Sequence, residues 1–246
     1  MRSRAPVLLV ALGAIAFFGF LAALLPASLL ARLLPQGVEA STFTGTVWAG
    51  RVESVRSGPL MLAAVEWRCA ALPLLVAQLR CRVALDMQPG RLTARTTLRP
   101  GGALSVDALN GAVPLAAVGP AGGWRGELRF ENVELELRSG RPQPLSGTVI
   151  AADLRAPQPG GARLGSYALE FGEGFASPGV TGGRLRDLGG PLSLRGTVRI
   201  EPPGRYLAQG EVAPRPGASQ ELLGALSFLA PPDASGHRSF TFEGSL

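Results

Sequence analysis

The sequence predicts a mainly β protein, in which a single N-terminal transmembrane helix precedes a curved antiparallel β-sheet domain with one or two short helices. Three observations predict this fold: an uncharged apolar run near the N-terminus, alternation of apolar and polar residues further on, and turn residues spread along the chain. Glycine and proline number 33 and 21, yet 46% of the 246 residues are hydrophobic, which is too apolar for a disordered chain. Many short strands joined by tight turns fit this composition.

The transmembrane anchor is predicted over residues 5–25, after a cytoplasmic stub of residues 1–4. No charged residue occurs between Arg4 and Arg32, and about twenty apolar residues suffice for a helix that crosses the hydrocarbon core. Two arginines precede the run and one follows it closely, so the positive-inside rule places the rest of the chain on the far side of the membrane. A cleaved signal peptide is the alternative, since a basic start and an apolar run describe that segment too.

Residues 26–37 form a juxtamembrane segment, and residues 38–246 form the predicted β-rich domain. Pro26 removes a backbone donor, so a straight continuation of the anchor helix is disfavoured. In the later domain, residues 192–200 alternate between apolar and polar side chains, which predicts a strand with one solvated face. The alternation shifts phase by one residue at Asn132, as a β-bulge requires.

Helical signals are few in this domain. Residues 220–229 carry leucines on one helical stripe, Ser219 can cap the N-terminus, and Pro231 prevents continuation. Residues 70–79 are a second candidate for a short helix. The chain ends in a predicted strand over residues 240–246, where Phe, Phe, Gly and Leu occupy alternate positions.

A short Gly-Thr-Val motif recurs at Gly45, Gly147 and Gly196. One physical interpretation is that each glycine lets a strand of one long antiparallel sheet approach the neighbouring backbone closely. Chance recurrence in a chain rich in glycine and valine is the alternative.

Cys69 and Cys81 are the two cysteines of the chain and form the candidate disulfide. An oxidising compartment beyond the membrane would let them pair, and closing this short loop is worth about 3 kcal/mol in the chain-entropy model. Two buried free thiols are the alternative. The cysteine spacing matches no zinc pattern, and one histidine cannot complete a four-ligand site.

The sequence predicts no catalytic, cofactor-binding or metal-binding residues. The single histidine, His237, lies in a polar turn with Ser235 and Asp233, and residues so close together in one turn seldom face a common substrate atom. Lysine is absent, which excludes a P-loop of the usual form. The arginines are scattered singly, which argues against a nucleic-acid partner.

Trp48 and Trp67 lie early in the β-rich domain, close to the predicted anchor. Large rings beside glycine and valine are typical of a strand core, which is the default interpretation. A place at the membrane interface, where tryptophan is enriched, is the alternative.

Eight short motifs follow one another along the chain. They are Pro26-Ala27, Gly45-Thr46-Val47-Trp48-Ala49-Gly50, Val65-Glu66-Trp67, Leu109-Asn110-Gly111-Ala112-Val113-Pro114-Leu115, Leu164-Gly165-Ser166-Tyr167, Gly189-Gly190-Pro191-Leu192, Gly204-Arg205-Tyr206 and Leu229-Ala230-Pro231-Pro232-Asp233. This ordered set resembles the type II secretion system protein N family, also called general secretion pathway protein N. The motif positions that best mark the resemblance are Gly45, Thr46, Trp48, Gly50, Trp67, Gly165, Tyr167, Gly189, Gly190, Pro191, Leu192, Tyr206, Pro232 and Asp233.

The resemblance implies a protein of a Gram-negative bacterium with one pass through the inner membrane and its C-terminal β domain in the periplasm. It also implies a non-enzymatic accessory role in exporting folded proteins across the outer membrane, with other inner-membrane subunits of the secretion system as partners. The family provides no catalytic or cofactor residue to transfer. The contact surface, the stoichiometry and the oligomeric state are left open.

A periplasmic lipid-binding or lipid-transfer protein is the alternative function, and an enzyme is the third hypothesis. An antiparallel sheet must cover its apolar face, and this sequence offers few helices for that purpose. An apolar β groove could therefore hold the acyl chains of a phospholipid. If the sheet is open, its edge strands could also recruit another chain by strand addition.

Overall fold

The computed structural model describes residues 5–34, 37–57, 60–71, 73, 77–87, 89–100, 103–117, 123–138, 141–157, 161–172, 180–201 and 205–245. For residues 5–11, 15, 33, 57, 60–62, 137–138 and 141–145 within these ranges, the structure describes the backbone but not the side chain. Over the described residues the fold is mainly β, as predicted.

Helix α1 spans Ala5–Ala23, and a 3-10 helix follows at Ala27–Leu33. Fourteen strands make up most of the rest of the described chain. They are β1 (Val38–Gly45), β2 (Ala49–Ser57), β3 (Leu60–Leu62), β4 (Ala64–Ala70), β5 (Leu79–Asp86), β6 (Arg91–Leu98), β7 (Leu104–Pro114), β8 (Arg125–Arg138), β9 (Arg141–Arg155), β10 (Arg163–Phe171), β11 (Thr181–Gly189), β12 (Leu192–Glu201), β13 (Arg205–Pro214) and β14 (Arg238–Ser245). A second 3-10 helix at Leu115–Ala117 follows β7, and helix α2 (Gln220–Leu226) lies between β13 and β14.

Helix α1 ends before Pro26, which has the extended backbone angles φ −70° and ψ 144°. The helix therefore does not continue straight into the juxtamembrane segment, as predicted. Taken over the described residues, no helix is long and apolar enough to cross a membrane. The anchor over residues 5–25 stays a prediction, and the stub at 1–4 lies outside the described residues.

Thirteen strands form one antiparallel sheet and follow one another almost in sequence order. The order is β1-β2-β4-β5-β6-β7-β8-β9-β10-β11-β12-β13-β14, and β3 lies off this path, paired with β2. The two ends of the path, β1 and β14, are not joined to each other. The sheet is therefore open, a point that the sequence left undecided.

One row of directly opposite residues crosses the thirteen strands and defines an apolar face. This apolar row consists of Phe43, Val52, Val65, Leu85, Leu92, Gly111, Phe130, Val149, Leu169, Leu185, Gly196, Gly210 and Phe240. Neighbouring positions along each strand point to the opposite, polar face. They include Thr44, Arg51, Glu66, Thr93, Thr148, Glu170, Arg184, Thr197, Gln209 and Thr241.

Two buried clusters lie toward the two ends of the sheet. The first consists of Met87, Leu92 and Val113, with partly buried neighbours on β2 to β8. The second consists of Leu192, Val212, Leu222, Leu226 and Phe240. Leu222 and Leu226 belong to α2, so this short helix packs its leucine stripe on the C-terminal strands. Such tertiary packing, more than helix propensity, stabilises a helix of this length.

Three local predictions are confirmed. Asn132 has a φ of 48° and lies where the register between β8 and β9 shifts, so the predicted bulge is present. Strand β12 alternates between exposed and partly buried residues from Arg195 to Glu201. The Ser219 hydroxyl oxygen accepts a hydrogen bond from the Leu222 amide at 3.4 Å and caps α2.

Two helix predictions are corrected. Helix α2 ends at Leu226 and not at Leu229, because the Leu229 amide bonds to the Leu226 carbonyl in a tighter, 3-10-type turn. The prediction of a helix over residues 70–79 is wrong at both ends, since Ala70 is the last residue of β4 and Leu79 is the first residue of β5. Their backbones take part in the β4–β5 and β5–β6 ladders. Residues 72 and 74–76, and Leu246 of the predicted last strand, lie outside the described residues.

Glycine is required where neighbouring strands approach closely. A Cβ atom built on Gly210 would lie 2.7 Å from the Gly196 Cα and 2.8 Å from the Phe240 ring atom Cζ. A Cβ atom on Gly147 would lie 2.5 Å from the Val133 Cα. Two glycines of the Gly-Thr-Val motif therefore lie at close approaches of two backbones, which favours the structural interpretation of that motif.

Gly210→Val is expected to lower the free energy of unfolding by about 2–3 kcal/mol, because the new side chain must displace a neighbouring strand and the Phe240 ring. Gly224→Ala is the matched control, since no heavy atom lies within 4 Å of a Cβ atom at that helical position. Alanine should stabilise α2 by about 0.5–1 kcal/mol. Urea unfolding measures both variants, and equal midpoints for Gly210→Val and the wild type would contradict the close approach.

Candidate functional site

The motif positions predicted from the sequence fall into three groups that join elements of the fold. The first group, at α1 and the β1–β2 hairpin, contains Gly45, Thr46, Trp48, Gly50 and Trp67. The second group, around the β11–β12 turn, contains Gly165, Tyr167, Gly189, Gly190, Pro191 and Leu192. The third group, at β13 and the turn before β14, contains Tyr206, Pro232 and Asp233.

Trp48 holds the end of α1 against the β1–β2 hairpin. Its indole Nε1 donates a hydrogen bond to the Ala22 carbonyl oxygen at 2.8 Å. The Val47 amide donates to the Leu25 carbonyl oxygen at 2.9 Å. These bonds engage carbonyl groups at and just beyond the end of α1, where the helix leaves backbone acceptors incompletely satisfied. We call these contacts the N-terminal joint, and they place Trp48 against α1 and not in a strand core.

Trp67 supports the N-terminal joint from β4. Its indole Nε1 donates to the Val47 carbonyl oxygen at 3.0 Å. The ring covers Gly50 on β2, where a Cβ atom would lie 2.5 Å from the ring atom Cζ2. The Thr46 hydroxyl oxygen accepts a hydrogen bond from the Ala49 amide at 3.1 Å and closes the hairpin turn. Gly50 is therefore required for the ring to reach its acceptor.

Cys69 and Cys81 lie directly opposite each other on β4 and β5, and a disulfide bond joins their sulfur atoms. The Cys69 amide donates a hydrogen bond to the Trp48 carbonyl oxygen at 2.7 Å. The crosslink therefore ties β5 to the strand that supports the N-terminal joint.

At the C-terminal end of the sheet, an aromatic ring again covers a glycine of the neighbouring strand. A Cβ atom built on Gly244 of β14 would lie 2.5 Å from the Tyr206 hydroxyl oxygen on β13. The two residues are direct register partners. Tyr206 thus covers a glycine of β14, as Trp67 covers Gly50 of β2.

An ion pair between Asp187 and Arg215 forms the centre of the second group. Arg215 Nη2 lies 2.6 Å from Asp187 Oδ1, and the carboxylate is only 15% exposed. Asp187 Oδ2 accepts a hydrogen bond from the Leu194 amide at 3.2 Å. Arg215 Nη1 donates to the carbonyl oxygens of Gly190 and Leu192 at 3.2 and 3.3 Å. One guanidinium group therefore closes the turn between β11 and β12.

Gly190 and Gly165 let the β11–β12 turn approach β10. A Cβ atom built on Gly190 would lie 2.7 Å from the Gly165 Cα, and both residues have positive φ, at 139° and 98°. The Tyr167 hydroxyl donates a hydrogen bond to the Leu164 carbonyl oxygen at 2.5 Å. Any residue with a Cβ atom would therefore separate this turn from β10.

The surroundings shift the pKa values of two groups at this turn. Burial raises the pKa of the Tyr167 hydroxyl to about 12, and the nearby Asp187 carboxylate acts in the same direction. For Asp187, burial raises the pKa, but the Leu194 amide and the Arg215 guanidinium outweigh it and lower the pKa below its ordinary value. Asp187 is therefore ionised at neutral pH.

Asp233 organises the turn before β14. Its Oδ1 accepts hydrogen bonds from the Ser235 amide at 2.8 Å and the His237 amide at 2.9 Å. The Ser235 hydroxyl oxygen lies 2.8 Å from the same carboxylate oxygen and 3.0 Å from His237 Nδ1. In a catalytic triad the carboxylate would bind the imidazole, whereas here it binds the serine and two backbone amides. This geometry is that of a turn, as predicted.

The three groups position structural elements of the fold. Within the described ranges, no group of three or more His, Cys, Asp or Glu side chains could hold a metal ion. Sequence reasoning missed Asp187 and Arg215, the ionised pair at the centre of the second group. They are 28 positions apart, and no local pattern marks them as partners.

Two comparisons with known proteins agree on a family. A family model described as type II secretion system (T2SS), protein N matches residues 36–241. A protein named type II secretion system protein N from Vibrio cholerae serotype O1 (strain ATCC 39315 / El Tor Inaba N16961) is 27% identical over 238 residues, which cover 87% of each chain. No solved structure matches this chain.

The free energy of unfolding is expected to fall in acid, in part through Asp187. The pKa of this carboxylate is lower in the folded than in the unfolded chain, so its stabilisation is complete above the unfolded pKa of about 4 and is lost as the pH falls through the folded pKa. Asp187→Asn should lower the free energy of unfolding by about 2 kcal/mol at neutral pH and flatten the acid part of the profile. Urea unfolding across this pH range measures both effects.

Glu211→Gln is the control for this prediction. Glu211 pairs with Arg195 at 2.7 Å, but its side chain is 43% exposed. Loss of such a surface pair should cost about 0.5 kcal/mol or less. A smaller effect of Asp187→Asn than of Glu211→Gln would show that the partly buried pair does not hold the turn.

Proposed function

Because the chain belongs to the type II secretion system protein N family, we propose that it is a non-enzymatic accessory and assembly component of that system in the inner membrane. Residues 5–25 serve as its single-pass anchor, residues 26–37 lead out of the membrane, and residues 38–246 form its periplasmic domain. The protein acts by binding other inner-membrane subunits and thereby supports export of folded proteins across the outer membrane.

The observation that carries this proposal is the N-terminal joint between α1 and an open sheet. With α1 in the membrane, the bond from Trp48 to Ala22 holds the sheet directly at the membrane surface. Tryptophan is enriched at this depth because its ring is apolar and its N–H is polar. A sheet bonded to α1 in this way presents fixed surfaces to neighbouring membrane subunits.

We assign the partner contact to the free edge of β14. Strand β1 packs against the 3-10 helix at Ala27–Leu33, whereas β14 pairs with β13 alone in the described chain. Thr241 and Phe242 on this edge are exposed, and Phe242 is 56% accessible. An unpaired edge offers a row of backbone donors and acceptors to a strand of another protein.

A photoreactive amino acid at Thr241, in the full-length protein in cells with the secretion system, tests this assignment. Thr197 is the matched control, because it is an exposed threonine of the same polar row on the interior strand β12. We expect crosslinks to other secretion subunits from position 241 and few from position 197. Equal yields from the two positions would refute the edge contact, and no secretion subunit at either position would count against the proposed function.

A lipid-handling role is the second candidate, and the centre of the apolar row favours it. Val149 and Leu169 are only partly buried and belong to neither buried cluster. The two clusters flank them along the row, so an apolar strip lies between two packed ends of the sheet. Acyl chains of a phospholipid match such a strip in chemistry and would bury it from water.

Native mass spectrometry of the purified full-length protein tests the lipid role by counting retained phospholipids. Leu169→Glu should lower retention severalfold, because a carboxylate on the apolar strip is incompatible with bound acyl chains. Thr197→Glu on the polar face should leave retention unchanged. Absence of phospholipid from the wild type, or equal retention by both variants, would exclude this candidate.

A further inference from the structure

Three arginines lie directly opposite one another on adjacent strands of the polar face. Arg68 of β4 faces Arg82 of β5, and Arg82 faces Arg95 of β6. All three residues are exposed. Directly opposite residues of an antiparallel pair have Cβ atoms about 4.5–5.5 Å apart, so the three charges form a close line, which we call the arginine row.

No ion pair in the described part of the chain neutralises a member of the arginine row. None of the ion pairs there includes any of its three members. Asp107 of β7 is the register partner of Arg95 and places one carboxylate at that end of the row; it also accepts a hydrogen bond from the Thr97 hydroxyl at 3.2 Å. Like charges directly opposite each other destabilise a sheet. The three like charges therefore repel one another, and a bound anion would relieve that repulsion.

Further arginines surround the row. Two adjoining depressions of 820 and 570 Å³ share Arg68, Arg82 and Arg95 in their lining. Arg51, Arg80 and Arg99 also line them, against the carboxylates of Glu66 and Asp107. Glu66 is already bound by Arg51 at 2.6 Å. The depressions are thus strongly positive and open to solvent.

The arginine row begins beside the N-terminal joint. Ala49 is the register partner of Arg68, and the residue before it, Trp48, bonds to α1. Neighbouring strands are about 4.8 Å apart, so Arg68, Arg82 and Arg95 lie roughly 5, 10 and 15 Å from β2. This distance is comparable to the headgroup layer of a bilayer plus the reach of an extended arginine side chain.

We propose that the arginine row binds the phosphate groups of anionic phospholipids at the surface of the membrane that holds α1. The inference rests on the proposed function, since it needs α1 to lie in that membrane. Guanidinium groups donate paired hydrogen bonds that match phosphate oxygens, and phosphate contacts relieve the repulsion within the row. Binding also turns the polar face of β4 to β6 toward the headgroups and so sets the orientation of the sheet.

Hydrogen exchange of the full-length protein in lipid nanodiscs tests this proposal. One set of discs contains phosphatidylcholine alone, and the other also contains phosphatidylglycerol. We expect amides of β4 to β6 to exchange roughly tenfold more slowly with the anionic lipid, and added salt to reduce the difference. The combined change Arg68→Gln, Arg82→Gln and Arg95→Gln should abolish it.

A second line of arginines provides the matched control. Arg125, Arg155 and Arg163 also face one another, on β8, β9 and β10, further from α1. The same triple change to glutamine there should leave the response to phosphatidylglycerol intact. A response lost in both triple variants, or retained in both, overturns the proposal.

Inorganic phosphate added to phosphatidylcholine discs shows whether the row binds free phosphate or the phosphate of a lipid headgroup. Protection by inorganic phosphate without a response to phosphatidylglycerol overturns the lipid assignment, and so does protection by neither. Entry of the protein into phosphatidylcholine discs reports membrane insertion of α1 independently. Failure to enter the discs contradicts the proposed function, whereas entry without a response to anionic lipid contradicts this inference alone.

Discussion

The register of one continuous antiparallel sheet is the constraint on which the rest of this structure depends. Side chains alternate between faces with a period of two, so a slip of one residue in any strand would move its apolar side chains to the polar face. The bulge at Asn132 and the register shifts at Gly165 absorb extra residues within their strands. Phe130, Val149 and Leu169 therefore remain aligned across β8, β9 and β10.

An open sheet does not bury its apolar face by closing on itself, so local packing contacts hold its strands together. Helix α2 covers the C-terminal strands through Leu222 and Leu226. Elsewhere, glycines admit a ring or a second backbone where any Cβ atom would collide, as Gly50 does beneath Trp67. Gly50 is one of the motif positions predicted from the sequence, and in the structure it serves strand packing.

Charged residues play different roles on the polar face and at the β11–β12 turn. Exposed pairs such as Arg51–Glu66 contribute little to stability because water screens them. Asp187 and Arg215 are better covered and also bind backbone groups, so the pair fixes the position of a turn. The arginine row does neither, and the proposed phosphate contacts would relieve the repulsion among its charges.

The sequence by itself determined the local properties of the protein. Alternation along residues 192–200, the phase shift at Asn132 and the Ser219 cap depend on neighbouring residues, and each was predicted correctly. The family resemblance was also apparent without coordinates. Where local signals were weak, as over residues 70–79, pairing with the next strand overrode them.

Only the tertiary structure decided which residues meet. A period-two pattern assigns a side chain to one face but does not say which residue of the next strand lies beside it, because turns and bulges set that register. Arg68, Arg82 and Arg95 therefore look scattered in the sequence and become a row in the sheet. The pairing of Asp187 with Arg215, and the contact of Trp48 with α1, likewise follow from chain geometry over separations that no local pattern spans.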